Sequence, residues 1–77
     1  MTKLETAERY SWYILNAMEH HIAELKKVIK EGNEALKAEP DSPKILRNSL
    51  EGTIAHCEWS LREHSEALKA LREVGWN

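Results

Sequence analysis

Seventy-seven residues carrying a formal net charge of -2 make one small domain, and chains this short bury only a modest share of their surface. A lone cysteine, Cys57, excludes an intramolecular disulfide, and with no paired CxxC spacing for zinc, association is the remaining route to stability. Apolar residues at 42% and charged residues at 31% suit a folded helical protein, and the mixing of charge signs removes any global pull toward nucleic acid or anionic membrane.

The start, Met1-Thr2-Lys3-Leu4-Glu5, lacks the apolar core of a secretion signal. No stretch approaches the roughly 20 apolar residues of a membrane span. A cytoplasmic location with a reduced thiol and no membrane partner is the expectation. Thr2 followed by Glu5 makes a capping-box pattern for a first helix over about residues 3–38. Along it Leu4, Ser11, Leu15, Met18, Ile22, Leu25, Ile29 and Leu36 form an apolar seam, with Ala7, Ile14, His21, Val28 and Ala35 on the adjoining edge. Gly32-Asn33 could end the helix, but the seam runs through Gly32 to Leu36, which favours continuity. Pro40 disfavours helical geometry at Glu39 and so sets a hinge over 39–42.

Ser42-Pro43 is a restart signal, serine at the cap and proline at the first helical position, for a second helix over about 43–74. Its seam is Leu50, Ile54, Cys57, Leu61, His64, Leu68 and Leu71. Its outer edge is Leu46, Thr53, Ser60, Ala67 and Val74, and Gly75 ends it. So short a hinge predicts an all-α antiparallel two-helix hairpin spanning residues 1–77 as a single domain. In the simplest register position n faces about 81 minus n, setting Gly32 near Ser49, His21 against Ser60 and His64 against Ala17.

Seam plus edge covers roughly 140° of each helix, wider than a two-helix coil can cover. The expectation is therefore a homodimeric four-helix bundle. Its self-association residues are Ile14, Leu15, Met18, His21, Ile22, Val28, Leu46, Leu50, Ile54, Leu61, His64 and Leu68.

The stretch Ala35-Leu36-Lys37-Ala38-Glu39-Pro40-Asp41 resembles the end of a tetratricopeptide repeat, and Trp12, Leu15 and Ala35 also fit that pattern. Asn16, Glu19 and Gly32 depart from it, no turn signal lies between Leu15 and Glu31, and no second copy follows Pro40. The chain is read as lying outside that family.

No motif carries a chemistry. No His–His or His–Cys pair has the i,i+4 spacing of a helical zinc site, and in the simplest register the four imidazoles stay apart, so neither a metal nor another cofactor is expected. Cys57 and His56 are neighbours about 100° apart on a helix and cannot act as a thiol–imidazole pair. His64 among leucines is read as a polar residue that fixes helix register. An enzyme is not expected.

The aromatics are the best functional lead. Tyr10, Trp12, Tyr13, Trp59 and Trp76 mostly lie off the seam, and aromatics on a solvent face are enriched at binding hot spots. The reading is a small protein–protein interaction module, an adaptor or an inhibitor of the kind phages and plasmids carry, with those five residues binding an unidentified protein. One alternative is a bundle that sequesters a small molecule near His21, Thr53, Ser60 and His64. Another is weak nucleic-acid binding through Lys26, Lys27, Lys30, Lys37, Lys44 and Arg47. Interleaved Glu31, Glu34, Glu39 and Asp41 blunt that field and disfavour it.

Overall fold

The computed structural model describes residues 2–76, with the side chains of Leu4 and Ala7 outside the described set. Three helical segments, α1 (Lys3–Arg9), α2 (Ser11–Ala38) and α3 (Lys44–Glu73), build an antiparallel hairpin of α2 on α3 with α1 continuing α2. The result is a rod of 59 × 17 × 16 Å.

At the start the Thr2 hydroxyl accepts from the Glu5 N–H at 3.2 Å, the half of the capping box that satisfies an orphan helix donor. The expected single helix over 3–38 is divided at Tyr10, whose φ of -99° and ψ of 8° leave the α region. Tyr10 N–H still reaches the Thr6 carbonyl at 3.3 Å, and its own carbonyl accepts from Tyr13 at 3.0 Å and Ile14 at 3.3 Å. The helix is therefore interrupted at one residue without the chain turning back. No proline, glycine or capping side chain marks the place, so apolar periodicity reads straight through it.

Through Gly32 α2 is continuous, as the unbroken seam requires, and it ends where Glu39 swings to φ -128° and ψ 67° ahead of Pro40. The restart differs from its expectation. Pro43, with ψ at 136°, is the residue before the first helical turn, and α3 begins at Lys44. Ser42 does not cap it: Pro43 holds the cap position, and the Ser42 hydroxyl donates to the Glu39 carboxylate at 3.3 Å across the hinge. The terminus that does receive a side chain is the end of α2. The half-buried Arg47 donates through one guanidinium nitrogen to the carbonyls of Leu36 at 3.2 Å and Glu39 at 2.9 Å. A cation at that end also meets the negative pole of the helix dipole.

At its far end α3 closes with a Schellman turn. Gly75 takes φ 95°, its N–H bonds the Arg72 carbonyl at 3.1 Å, and the Trp76 N–H reaches back to Leu71 at 3.0 Å. Only a residue without a Cβ adopts that backbone without cost, which is why Gly75 stops the helix.

Leu15, Leu25, Ile54 and Leu68 form the buried apolar seam, with Ser11 and Gly32 buried beside them. Their heptad-like placement is the one read from the sequence; the pairing across the seam is not. Gly32 lies against Ile54 and Leu50 instead of Ser49, and His21 meets His64 instead of Ser60. At His21 the slip is four residues, close to one helical turn. A Cβ on Gly32 would come within 2.9 Å of two Ile54 side-chain atoms, so the glycine holds open the place where that isoleucine seats. Near the open end of the hairpin Arg72 pairs with Glu19. Both side chains are about half exposed, so the pair contributes at most about 1 kcal/mol.

Two predictions follow from these contacts, both read by thermal or urea unfolding at a fixed protein concentration. Gly32→Ala gains about 1 kcal/mol of helix propensity but must displace the stiff, buried Ile54, and it should lower stability by about 1–2 kcal/mol net. Gly52→Ala, where an added Cβ meets nothing within 4 Å, should instead raise stability by up to about 1 kcal/mol. Equal signs for the two variants would contradict the Gly32–Ile54 contact. Arg47→Met keeps the stem but removes two hydrogen bonds from the α2 terminus, and it should cost about 1–2 kcal/mol. An unchanged midpoint would show that the cap contributes nothing.

Candidate interaction surface

A hairpin hides one stripe of each helix and leaves the adjoining edges wet. On α2 the edge is Ile14, His21, Val28 and Ala35; on α3 it is Leu46, Thr53, Ser60 and Ala67, continued by Val74 at the C-terminal cap. Both edges lie on one side of the rod. Ala35 and Leu46 line one shallow depression near the hinge, and midway along it His21 touches His64, which Ser60 holds. Among the residues of this flank Ile14, Val28, Leu46 and Val74 are exposed, the last two at 62% and 74%.

Of the residues assigned to self-association, Leu15, Ile54 and Leu68 are spent inside the chain's own seam. Met18, Ile22, Leu50, Leu61 and His64 are half-buried, and Ile14, His21, Val28 and Leu46 are open to solvent. The structure therefore separates that set into seam, shoulder and free flank. Ile45, exposed at 78% beside Leu46, was not singled out in the sequence. As a single apolar residue off the stripe it carries no periodic signal.

The aromatics divide into two places. Trp12 stacks on Tyr13 with ring centres 3.8 Å apart, and Tyr10 meets Tyr13 at 5.9 Å, so three rings gather where α1 joins α2. Such contacts are worth about 0.5–1.5 kcal/mol each beyond area burial. All three rings nevertheless remain about half exposed. Trp59 lies apart on α3, packed at 5.9 Å against His56 and also half exposed. It stands two positions from Cys57 and from Leu61, which turns it to the far side of the helix from the seam. Trp76 is half-buried in the turn that closes α3.

The polar candidates are placed as follows. The free thiol of Cys57 is half-buried. Thr53 is exposed, and its hydroxyl donates to the Ser49 carbonyl at 3.1 Å, the local back-bond that threonine makes in helices. His64 is half-buried, with Nδ1 2.7 Å from the Ser60 carbonyl and 3.3 Å from the Ser60 hydroxyl. Its ring centre lies 4.6 Å from that of His21. The expectation that the histidines stay apart therefore fails for this pair, because the helices pair about one turn away from the simplest register. Of the basic residues near the hinge, Arg47 is committed to the carbonyls of α2, while Lys26, Lys27, Lys30, Lys37 and Lys44 are exposed.

Among the described residues no helix is long and apolar enough to cross a membrane. Nor do three or more His, Cys, Asp or Glu side chains gather there as a metal cluster. No family model, curated protein or solved structure matches this chain. Its reading therefore rests on its own residues.

Proposed function

We propose that the chain is a small helical interaction module that pairs with a second copy through its apolar flank and binds another protein through its exposed aromatics. One observation carries this reading. Among the described residues nine large apolar side chains are exposed while four are buried. Scattered surface apolar residues are ordinary, but here seven of the nine fall into two groups: Ile14, Val28, Leu46 and Val74 along one flank, and the three rings of Tyr10, Trp12 and Tyr13. Exposed apolar side chains grouped in this way suit a contact surface.

The two surfaces suit different tasks. The flank is aliphatic and repeats at heptad spacing, which is the chemistry of helix-on-helix packing. Tyr10, Trp12 and Tyr13 hold one another in place while each stays about half exposed, a low-entropy arrangement typical of hot spots. Trp59 supplies a separate anchor on α3.

The two tasks separate experimentally. Tyr13→Ala with Trp59→Ala should leave helicity and mass in solution unchanged while removing the proteins that wild type retains on an affinity column. Val28→Lys with Leu46→Lys should instead reduce the mass to that of one chain. Retention of the same proteins by the aromatic variant would sink the partner-binding half of the reading. An unchanged mass in the flank variant would sink the other half.

A further inference from the structure

Two imidazoles from different helices meet at the margin of the seam, His64 half-buried and His21 exposed. His64 projects from α3 with its ring turned back along its own helix, so that Nδ1 lies 2.7 Å from the carbonyl of Ser60. A carbonyl can only accept, so Nδ1 carries the proton and the lone pair of the neutral ring lies on Nε2. Anchoring one ring nitrogen on a backbone carbonyl is how proteins fix the tautomer and orientation of a metal-binding histidine. His21 comes from α2, is exposed, and sets its ring 4.6 Å from that of His64 at an interplanar angle of 55°.

We propose that His21 and His64 form a two-histidine clamp that binds a divalent transition-metal ion between α2 and α3. Two imidazoles bound side by side on one ion, with metal–nitrogen bonds of about 2 Å, have ring centres about 4.5–5 Å apart. The observed separation falls in that interval. His64 is the oriented ligand, and the exposed His21 turns its ring to complete the pair.

The donor set selects the ion. Imidazole nitrogens favour nickel, copper and zinc, whereas calcium and magnesium take oxygen ligands. With no third His, Cys, Asp or Glu gathered at the pair among the described residues, the remaining coordination positions go to water. In the single chain the site is thus an open, exchangeable one, unlike the closed four-ligand sites that zinc uses for structure. The other two imidazoles do not share it. His20 lies one residue from His21, about 100° round the helix, and His56 packs beside Trp59.

A clamp whose ligands come from two helices also ties them together, so the ion stabilises the folded hairpin by linkage. That consequence holds for one chain and does not depend on self-association.

The test is calorimetric titration of the full chain with nickel chloride and with zinc chloride, alongside His21→Asn and a His20→Asn/His56→Asn double variant. His21 is exposed, so its replacement leaves the fold intact, and circular dichroism verifies this. The clamp predicts one ion per chain, with affinity unchanged in the double variant and at least about tenfold weaker in His21→Asn. Loss of even an outer-shell partner costs that much. Either ion should raise the melting temperature of wild type but not of His21→Asn, while calcium should leave both unmoved. In proton spectra substoichiometric nickel should broaden the ring signals of His21 and His64 before those of His20 and His56. Equal affinity in His21→Asn, loss of binding in the double variant, one ion per two chains, or no saturable binding would each overturn the assignment.

Discussion

Two helices in contact can hide only one stripe of each, and everything else about this molecule follows from that limit. Among the described residues four apolar side chains are buried along a 59 Å rod, little core for a chain of this length. At Gly32 the missing side chain lets Ile54 seat against the α2 backbone. Because α2 and α3 approach on that side, the heptad-spaced edges beyond the seam share one flank and stay uncovered.

The polar contacts act mainly as registration marks. Arg47 ties the first turns of α3 to the last carbonyls of α2, and Glu19 with Arg72 ties the opposite end. The exposed Glu19–Arg72 pair contributes little in water, but with the Arg47 cap it distinguishes one alignment of the helices from its neighbours. The hinge works the same way. Pro40 ends one helix, Pro43 delays the next by a residue, and the Ser42–Glu39 hydrogen bond closes the span between them.

Much of this was legible in the sequence. Periodicity gave the two long helices and their seams, Pro40 gave the hinge, and Gly75 gave the stop, because each depends on local covalent geometry. The register was not legible. Sliding one helix past the other by about a turn keeps the same stripe facing the seam, so the apolar pattern alone cannot choose between such alignments. The choice rests on long-range contacts such as Gly32 with Ile54, and the meeting of His21 with His64 was missed with it. Ser42 misled for a different reason: a serine caps a helix only from the position next to its first helical residue, and here Pro43 takes that position. The interruption at Tyr10 has no sequence signal at all.

The proposed roles occupy distinct parts of one surface. Aliphatic residues run the length of the flank, the paired imidazoles interrupt it midway, and the aromatic cluster gathers beside the junction of α1 and α2. In the reading offered above, self-association covers the flank and leaves the aromatic end free. The central claim is that one hairpin is incomplete. Sedimentation equilibrium on the wild-type chain, from low micromolar to near-millimolar concentration, tests it most directly. The account predicts a species of twice the chain mass that dissociates on dilution. A single-chain mass across the whole range, with full helicity retained, would contradict it.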